Sequence, residues 1–312
     1  MQNILVTGAA GFIGSNLTLA LQEKFADARV VVVDDFRSGN FKNLQGFRGE
    51  FITADISRLD WNAQFKELRF DAIFHEASIT DTTVHDQFLQ THDNVEGFRR
   101  LLQFAEPHRT PIVYASSAAT YGIGGDKMSE DRTSAPANIY AFSKAQLENL
   151  ARDFGKRNPS WRIVGLRYFN VYGAGESHKK AAASMIYQLY LQMKSGQPPR
   201  VFRAGEQKRD FVYVKDVVNL TMRALSAKQS DVFNCGSGHA FSFNEVIAEL
   251  NKNLGLKLAP QYMENPYHFY QPHTEADMTK VKKELNFTPE YSPAKGIADY
   301  VSILEAEKNL TL

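Results

Sequence analysis

The sequence predicts an α/β protein built on a doubly wound parallel sheet, with a smaller mixed α/β unit toward its C-terminal end. Three observations carry that reading. An apolar run, Ile4-Leu5-Val6, breaks at Thr7-Gly8, and glycines return at Gly11 and Gly14 before an amphipathic stretch, the pattern of strand, tight turn and helix. A second run, Val30-Val31-Val32-Val33, is too continuous for an amphipathic helix and fits a strand buried on both faces. Further apolar runs at Phe51–Ala54, Asp71–His75 and Pro111–Ala115 alternate with helical stretches, the rhythm of a parallel sheet with crossover helices.

In chain order, the first turn reads as a phosphate cradle. Gly8 permits a sharp turn, Gly11 lets the backbone approach a pyrophosphate, and Gly14 lets the following helix, near Phe12–Lys24, pack closely on its strand. The helix N-terminus then offers free N–H groups to an anion. Plain turn chemistry explains the same glycines if nothing downstream supports a dinucleotide. The second strand closes on Asp34-Asp35, where a carboxylate meets an adenosine ribose, Asp34 being the first choice, unless the pair only ends a strand. Arg37 complicates the cofactor, because a guanidinium there pairs with a 2′-phosphate that Asp34 repels. Asp55-Ile56, after the third strand, borders an adenine on this reading.

The chemistry-bearing stretch begins where the fifth strand ends in Ser116-Ser117. Later, Tyr140-Ala141-Phe142-Ser143-Lys144 opens a helix running to Phe154, and the i to i+4 spacing puts phenol and ammonium on one face. A lysine charge and an oxidised nicotinamide both stabilise phenolate, drawing a group of ordinary pKa near ~10 toward the range useful for acid–base work, with Ser116 orienting the substrate hydroxyl. Taken alone, Tyr-x-x-x-Lys is ordinary helix surface. Its place after a glycine turn and a serine-ended strand gives it meaning.

Composition narrows the classes. At 312 residues and 43% apolar content the chain buries a full core, as one large domain or two smaller ones. With 36 basic and 35 acidic side chains, no general field favours nucleic acid or membrane, and neither is expected as a partner. One cysteine, Cys235, excludes an internal disulfide and a cysteine-based zinc cluster, and no metal site is expected. The first residues lack a basic region followed by a long apolar core. No run approaches the roughly 18 apolar residues of a membrane span, so the expected location is cytoplasmic.

The segments TGAAGFIG, VVVDDF, YASSAATYG, YAFSK and RYFNVYG, in this order, resemble the extended short-chain dehydrogenase/reductase family over almost the whole chain. FHEAS, ESHKKAAASM and KRDFVYVKDV narrow the resemblance to nucleotide-sugar epimerases of the branch that acts on ADP-heptoses. The resemblance implies a Rossmann domain over residues 1–173, with 208–240 returning to it, and a mainly substrate-binding domain over 174–312. It implies that Phe12 and Ile13 line the pyrophosphate turn and that Asp34 and Asp35 meet the adenosine. Glu76, Ala77, Ser78, Ile79 and Thr80 would follow the cofactor, supported by Asn94. Tyr140 is implied as one catalytic base, Lys144 as its cofactor-binding neighbour, and Asn170 and Val171 as lying between substrate and nicotinamide.

His178-Lys179 is the most specific element, since members of that branch use a lysine here as a second acid/base. Inverting a secondary alcohol carbon returns hydride to the opposite face, so the hydroxyl points two ways and one tyrosine need not reach both. Lys180 competes with Lys179 for the role. Arg209 is the choice for a substrate diphosphate, against an ion pair with Asp216, and the stretch from Arg209 through Val218 reads as a strand passing back into the core. Phe202, Arg203, Ala204 and Gly205 are implied beside the nucleotide base, and Tyr270 near sugar or phosphate. Ala181 and Gln188 stand where relatives carry a substrate-holding serine and histidine.

The expected activity is therefore C6 epimerisation of ADP-D-glycero-D-manno-heptose with bound NADP, NAD being the alternative because the loop after Asp35 lacks a lysine that some relatives use. A homo-oligomer is implied. The rivals are another nucleotide-sugar enzyme, such as a UDP-hexose 4-epimerase or a dehydratase, and a non-catalytic NAD(P)-binding sensor. A dehydratase needs an acidic pair beside the serine, where this chain has Ala118-Ala119.

Overall fold

The computed structural model describes residues 1–80, 86–124, 127–202, 204–264 and 271–309. Its strands are β1 (Asn3–Thr7), β2 (Arg29–Asp34), β3 (Glu50–Thr53), β4 (Ala72–His75), β5 (Ile112–Ser117), β6 (Lys127–Met128), β7 (Ile163–Tyr168), β8 (Asn170–Tyr172), β9 (Arg200–Phe202), β10 (Lys208–Tyr213), β11 (Asp231–Cys235), β12 (Ala240–Ser242), β13 (Gln261–Met263) and β14 (Glu275–Ala276). The α-helices are α1 (Phe12–Lys24), α2 (Trp61–Gln64), α3 (Gln87–Ala105), α4 (Ile139–Arg157), α5 (Met185–Lys194), α6 (Val214–Arg223), α7 (Phe243–Leu254), α8 (Thr279–Leu285) and α9 (Pro293–Asn309).

Seven parallel strands form the central sheet in the order β11-β7-β5-β4-β1-β2-β3, which is the Rossmann type. The order reverses between β1 and β4, and such a switch point opens a crevice at the carboxyl ends of the strands. Valine alternation in β2 shows why the sheet is covered on both faces. Val30 and Val32 join one apolar layer with Leu17 of α1 and Val217 of α6, while Val31 and Val33 join the other with Leu101 of α3 and Leu147 of α4. Each such valine contributes about 1.5–3 kcal/mol by burial, so a one-residue slip of register is strongly penalised.

Outside the central sheet, β10 pairs in parallel with β8 and antiparallel with β12, and two small parallel pairs, β9 with β13 and β6 with β14, complete the strands. The expected strand through Val218 is corrected here: β10 ends at Tyr213, and Asp216-Val217-Val218 lie in α6. A helix wins because Val214, Val217, Val218 and Thr221 recur at helical spacing and are all buried, which gives the β-branched run one apolar face. The chain does return to the central sheet, through β11 beside β7. Among the described residues no helix is long and apolar enough to cross a membrane.

Candidate active site

The carboxyl ends of the central strands open into one cavity of about 920 Å³, lined by the glycine turn, the end of β2, the start of α4 and the segment before α5. The turn is built as its glycines demand. Gly8 has a left-handed φ of 71°, and a Cβ on it would stand 2.4 Å from the Ala77 nitrogen; a Cβ on Gly14 would stand 2.1 Å from the Gly8 carbonyl oxygen. Gly11 caps α1 without a side-chain hydrogen bond, so the first-turn amides of Phe12 and Ile13 are left for an anion at the cavity wall. A nicotinamide dinucleotide fits this chemistry, with a Cβ-free approach for phosphates and the Asp34 carboxylate at the end of β2.

Across the cavity, Asn138 caps α4 by accepting from the Ala141 amide, which fixes the first turn and so Tyr140 and Lys144. Lys144 Nζ donates to the Ala115 carbonyl at 2.8 Å and lies 5.8 Å from the Tyr140 ring centroid. Burial pulls the lysine down to about 8, against the opposing pull of the Glu76 carboxylate. The spacing predicts that Lys144 lowers the phenol. Without a bound nicotinamide, whose positive charge is the other part of that expectation, burial raises Tyr140, a hydrogen bond from Ser117 works against that rise, and Glu76 adds to it.

Ser116 lines the cavity with Ser117, but its hydroxyl is held by a buried carboxylate. Along β5 the side chains alternate, Ile112 and Tyr114 entering the layer beneath α3 and α4 and Val113 and Ala115 the opposite one. Ser116 follows the first phase and donates to Glu148 Oε1 of α4 at 2.6 Å, in a network where Arg167 grips the same carboxylate with two nitrogens at 2.9 and 2.8 Å. Ser117, of opposite phase, is the serine bonded to Tyr140.

Glu76 leaves β4 into the cavity and accepts from the Tyr168 hydroxyl at 2.9 Å; burial raises it to about 7. Ala77, Ser78, Ile79 and Thr80 continue the wall. Asn94 of α3 clamps this loop, accepting from the Ile79 amide at 2.7 Å and donating to the Ile79 carbonyl and to Ser143 Oγ of α4. Asn170, Val171 and Ala181 also line the cavity.

Lys179 and Lys180 separate cleanly. Lys179 is half-buried at the cavity wall, its Nζ 5.6 Å from the Phe12 ring centroid, and burial lowers its pKa against the pull of Glu176. Lys180 is exposed, away from the wall, with a left-handed φ of 51°. His178 Nδ1 anchors the segment, 2.9 Å from the Gly175 carbonyl and 3.1 Å from Asn43.

The remaining expectations divide. Arg209 and Phe202 line the cavity, and Asp216, the alternative ion partner of Arg209, accepts instead from the Glu290 and Tyr291 amides. Gln188 reaches the wall with its amide bonded to the Ala181 and Ala183 carbonyls, so it braces its own segment. Ile56 lines the cavity, whereas Asp55 is turned away to accept from the Ser57 amide and hydroxyl. Ala204 and Gly205 lie off the wall in a turn pinned by Asn244, where Gly205 has φ of 72°. Arg203 and Tyr270 lie outside the described residues. Besides Ser117, sequence reasoning gave no role to Tyr168, which lies within RYFNVYG, or to Asp93, which carries no motif, though both are on the wall.

A dinucleotide turn at the switch point, a Tyr-Lys helix and a serine-ended fifth strand define a Rossmann enzyme of the short-chain dehydrogenase/reductase type. The chain belongs to the NAD dependent epimerase/dehydratase family, whose model matches residues 4–236. It is similar to the crystal structure of Helicobacter pylori ADP-L-glycero-D-manno-heptose-6-epimerase, with 40% identity over 98% of this chain and 96% of that one and a TM-score of 0.91. It is also similar to UDP-glucose 4-epimerase of Thermotoga maritima, solved with UDP-glucose, at 27% identity, 98% and 99% coverage and TM-score 0.90. A third neighbour is UDP-glucuronic acid 4-epimerase of Bacillus cereus with UDP-glucuronic acid and NAD, at 28% identity, 97% and 100% coverage and TM-score 0.83.

Proposed function

We propose that this protein inverts C6 of the heptose in ADP-D-glycero-D-manno-heptose, giving the L-glycero epimer with no net redox change. The observation that carries the reading is that Tyr140, on α4, and Lys179, beside Phe12, both line one cavity. The likeness to the H. pylori heptose epimerase supports the sugar. When bound at the glycine turn, an oxidised nicotinamide supplies a hydride acceptor that gives the same hydride back, and a positive charge.

The chain's own residues do the rest. Tyr140 takes the alcohol proton in one pose of the sugar and Ser117 orients the hydroxyl; Lys179 handles that proton in the other pose, its lowered pKa making a neutral amine accessible. Lys144, fixed on the Ala115 carbonyl, anchors the cofactor side, and Arg209 pairs with the diphosphate. Residues 174–207 and those beyond 236 form the substrate side of the cavity, and the glycine-turn half forms the cofactor side.

The test is incubation with ADP-D-glycero-D-manno-heptose in heavy water, following C6 by NMR. Inversion without deuterium at C6 supports direct hydride return, whereas solvent label there sinks it. A second reading, UDP-hexose 4-epimerisation, is favoured by the T. maritima and B. cereus likenesses; turnover of UDP-glucose with none of the ADP-heptose would establish it.

A further inference from the structure

Lys179 stands on the segment between β8 and α5, and that segment is fastened twice to the glycine turn. Asn16 of α1 gives one side-chain nitrogen to two carbonyls, that of Phe12 at the turn and that of Ala174 in the segment, both at 2.9 Å. Asn43, between β2 and β3, is placed in the same way. Its Nδ2 donates to the Ala10 carbonyl at 3.1 Å and lies 3.1 Å from Nδ1 of His178, the chain neighbour of Lys179. Each asparagine therefore bridges the turn to residues far away in sequence.

Both ends of these bridges are stiff. The Ala10 amide donates to Asp34 Oδ2 at 2.9 Å, which fixes the turn on the end of β2. The loop that carries Asn43 is held by the Arg37 fork, bonded to Asp35 Oδ2 at 2.5 Å and to Asp93 of α3, and by the Asn40 amide on the Ala10 carbonyl at 2.9 Å. Within the segment, the buried Glu176 carboxylate accepts from the Gly173 amide at 3.1 Å and the Ser184 hydroxyl at 2.9 Å, and its carbonyl accepts from the Lys179 amide at 3.0 Å. The reach of the lysine is then set by where its backbone is held.

The Asn43 bridge also dictates a tautomer. A side-chain amide nitrogen only donates, so the bridge needs a lone pair on His178 Nδ1 and places the ring proton on Nε2. A proton on Nδ1 would instead tie the ring to the Gly175 carbonyl, 2.9 Å away in the same segment, and leave the turn unlinked at that point.

We propose that Asn16 and Asn43 are positioning residues: they hold the segment that bears Lys179 against the turn that receives the dinucleotide, so one backbone frame places both the second proton-handling group and the cofactor. The inference rests on the two-group reading of Tyr140 and Lys179. Neither asparagine lines the cavity, so each acts through the lysine. A misplacement of about 1 Å at a reacting group costs up to about 10²-fold in rate.

The test is a double-mutant cycle in kcat with the ADP-heptose, with dinucleotide affinity measured on the same proteins by calorimetry and histidine tautomers read by proton–nitrogen NMR. Asn16→Ala and Asn43→Ala should each lower kcat at least about tenfold while dinucleotide affinity stays within about threefold, and neither should slow Lys179→Met further by more than about twofold. The His178 signal, assigned by its loss in His178→Gln, should report Nε2–H in wild type and Nδ1–H in Asn43→Ala. Wild-type kcat in either asparagine variant, an equal slowing in the Lys179→Met background, or Nδ1–H in wild type would overturn the inference and leave the two-group reading standing. Wild-type kcat in Lys179→Met would overturn both. If one alanine variant does not fold, the wild-type tautomer and the other asparagine still decide.

Discussion

The Ser117 hydroxyl bonds the Tyr140 phenol, while the Ser116 hydroxyl, one residue earlier on β5, points to the opposite face and donates to Glu148. Both serines line the cavity, but the Ser117 hydroxyl meets the phenol while the Ser116 hydroxyl is committed to a buried network.

Ser117→Ala should therefore lower kcat by about a hundredfold, the usual cost of removing a donor aimed at the reacting oxygen, and cost about 1 kcal/mol of stability because the hydroxyl also accepts from the Ala119 amide. Ser116→Ala should leave kcat within about threefold and cost about 1 kcal/mol of stability. Steady-state kinetics on the two variants, with urea unfolding to confirm that both fold, separate these outcomes, and a reversed kcat pattern would restore Ser116 to the chemistry.

Lys179→Met should reduce kcat by about 10²–10⁴ while Lys180→Met stays near wild type, because only Lys179 reaches the cavity. Lys180→Gly should gain up to about 1 kcal/mol by relieving the left-handed φ of 51°. Should Lys179→Met keep kcat and lose dinucleotide affinity, the lysine serves phosphate beside Phe12 and the two-group scheme fails.

Glu76 gives a signature in pH. Burial raises its carboxyl from 4.5 to about 7, so the folded, cofactor-free protein holds a proton that the unfolded chain has released, and stability falls as pH rises through that window. Lys144 acts in the opposite sense: lowered from 10.5 to about 8, it makes stability rise with pH between those values. Melting temperatures from pH 4 to 10 should show both trends in wild type and a shallower first trend in Glu76→Gln, where the other buried carboxyls still contribute. An unchanged acid-side slope in that variant would contradict the assignment.

Glu148 follows Lys144 by one turn of α4, and its carboxylate is the bidentate partner of Arg167, both side chains being almost wholly buried. Glu148→Ala strands that guanidinium and should cost about 3–5 kcal/mol. Substituting both residues with apolar ones of similar volume should recover most of the loss, as chemical denaturation of the single and double variants would show.

Much of this arrangement was legible before any coordinates. Glycine spacing, the Val30–Val33 run and the Tyr140–Lys144 interval depend only on local sterics and helix periodicity, and each stands where those rules put it. What escaped depends on partners distant in sequence. The phase of Ser116 follows from the pairing of β5 with β4 and β7, and the loss of Gln188 to backbone carbonyls follows from how its segment folds back. The fate of Arg37 needed Asp93, far along the chain, to come alongside Asp35. Val214–Thr221 misled because β-branched residues suit a strand locally, and only packing against α1 and the sheet makes them helical.

The central sheet has a further consequence, for biosynthesis. Its last strand, β11, is supplied by Asp231–Cys235, while the neighbour that needs it, β7, is complete at Tyr168. On the ribosome, the outer edge of β7 therefore stands open while α5, β9, β10 and α6 are still being translated. An unpaired edge of that kind is a template for the wrong strand, so nascent chains arrested before Asp231 should be far more prone to aggregation and chaperone capture than those released past Cys235.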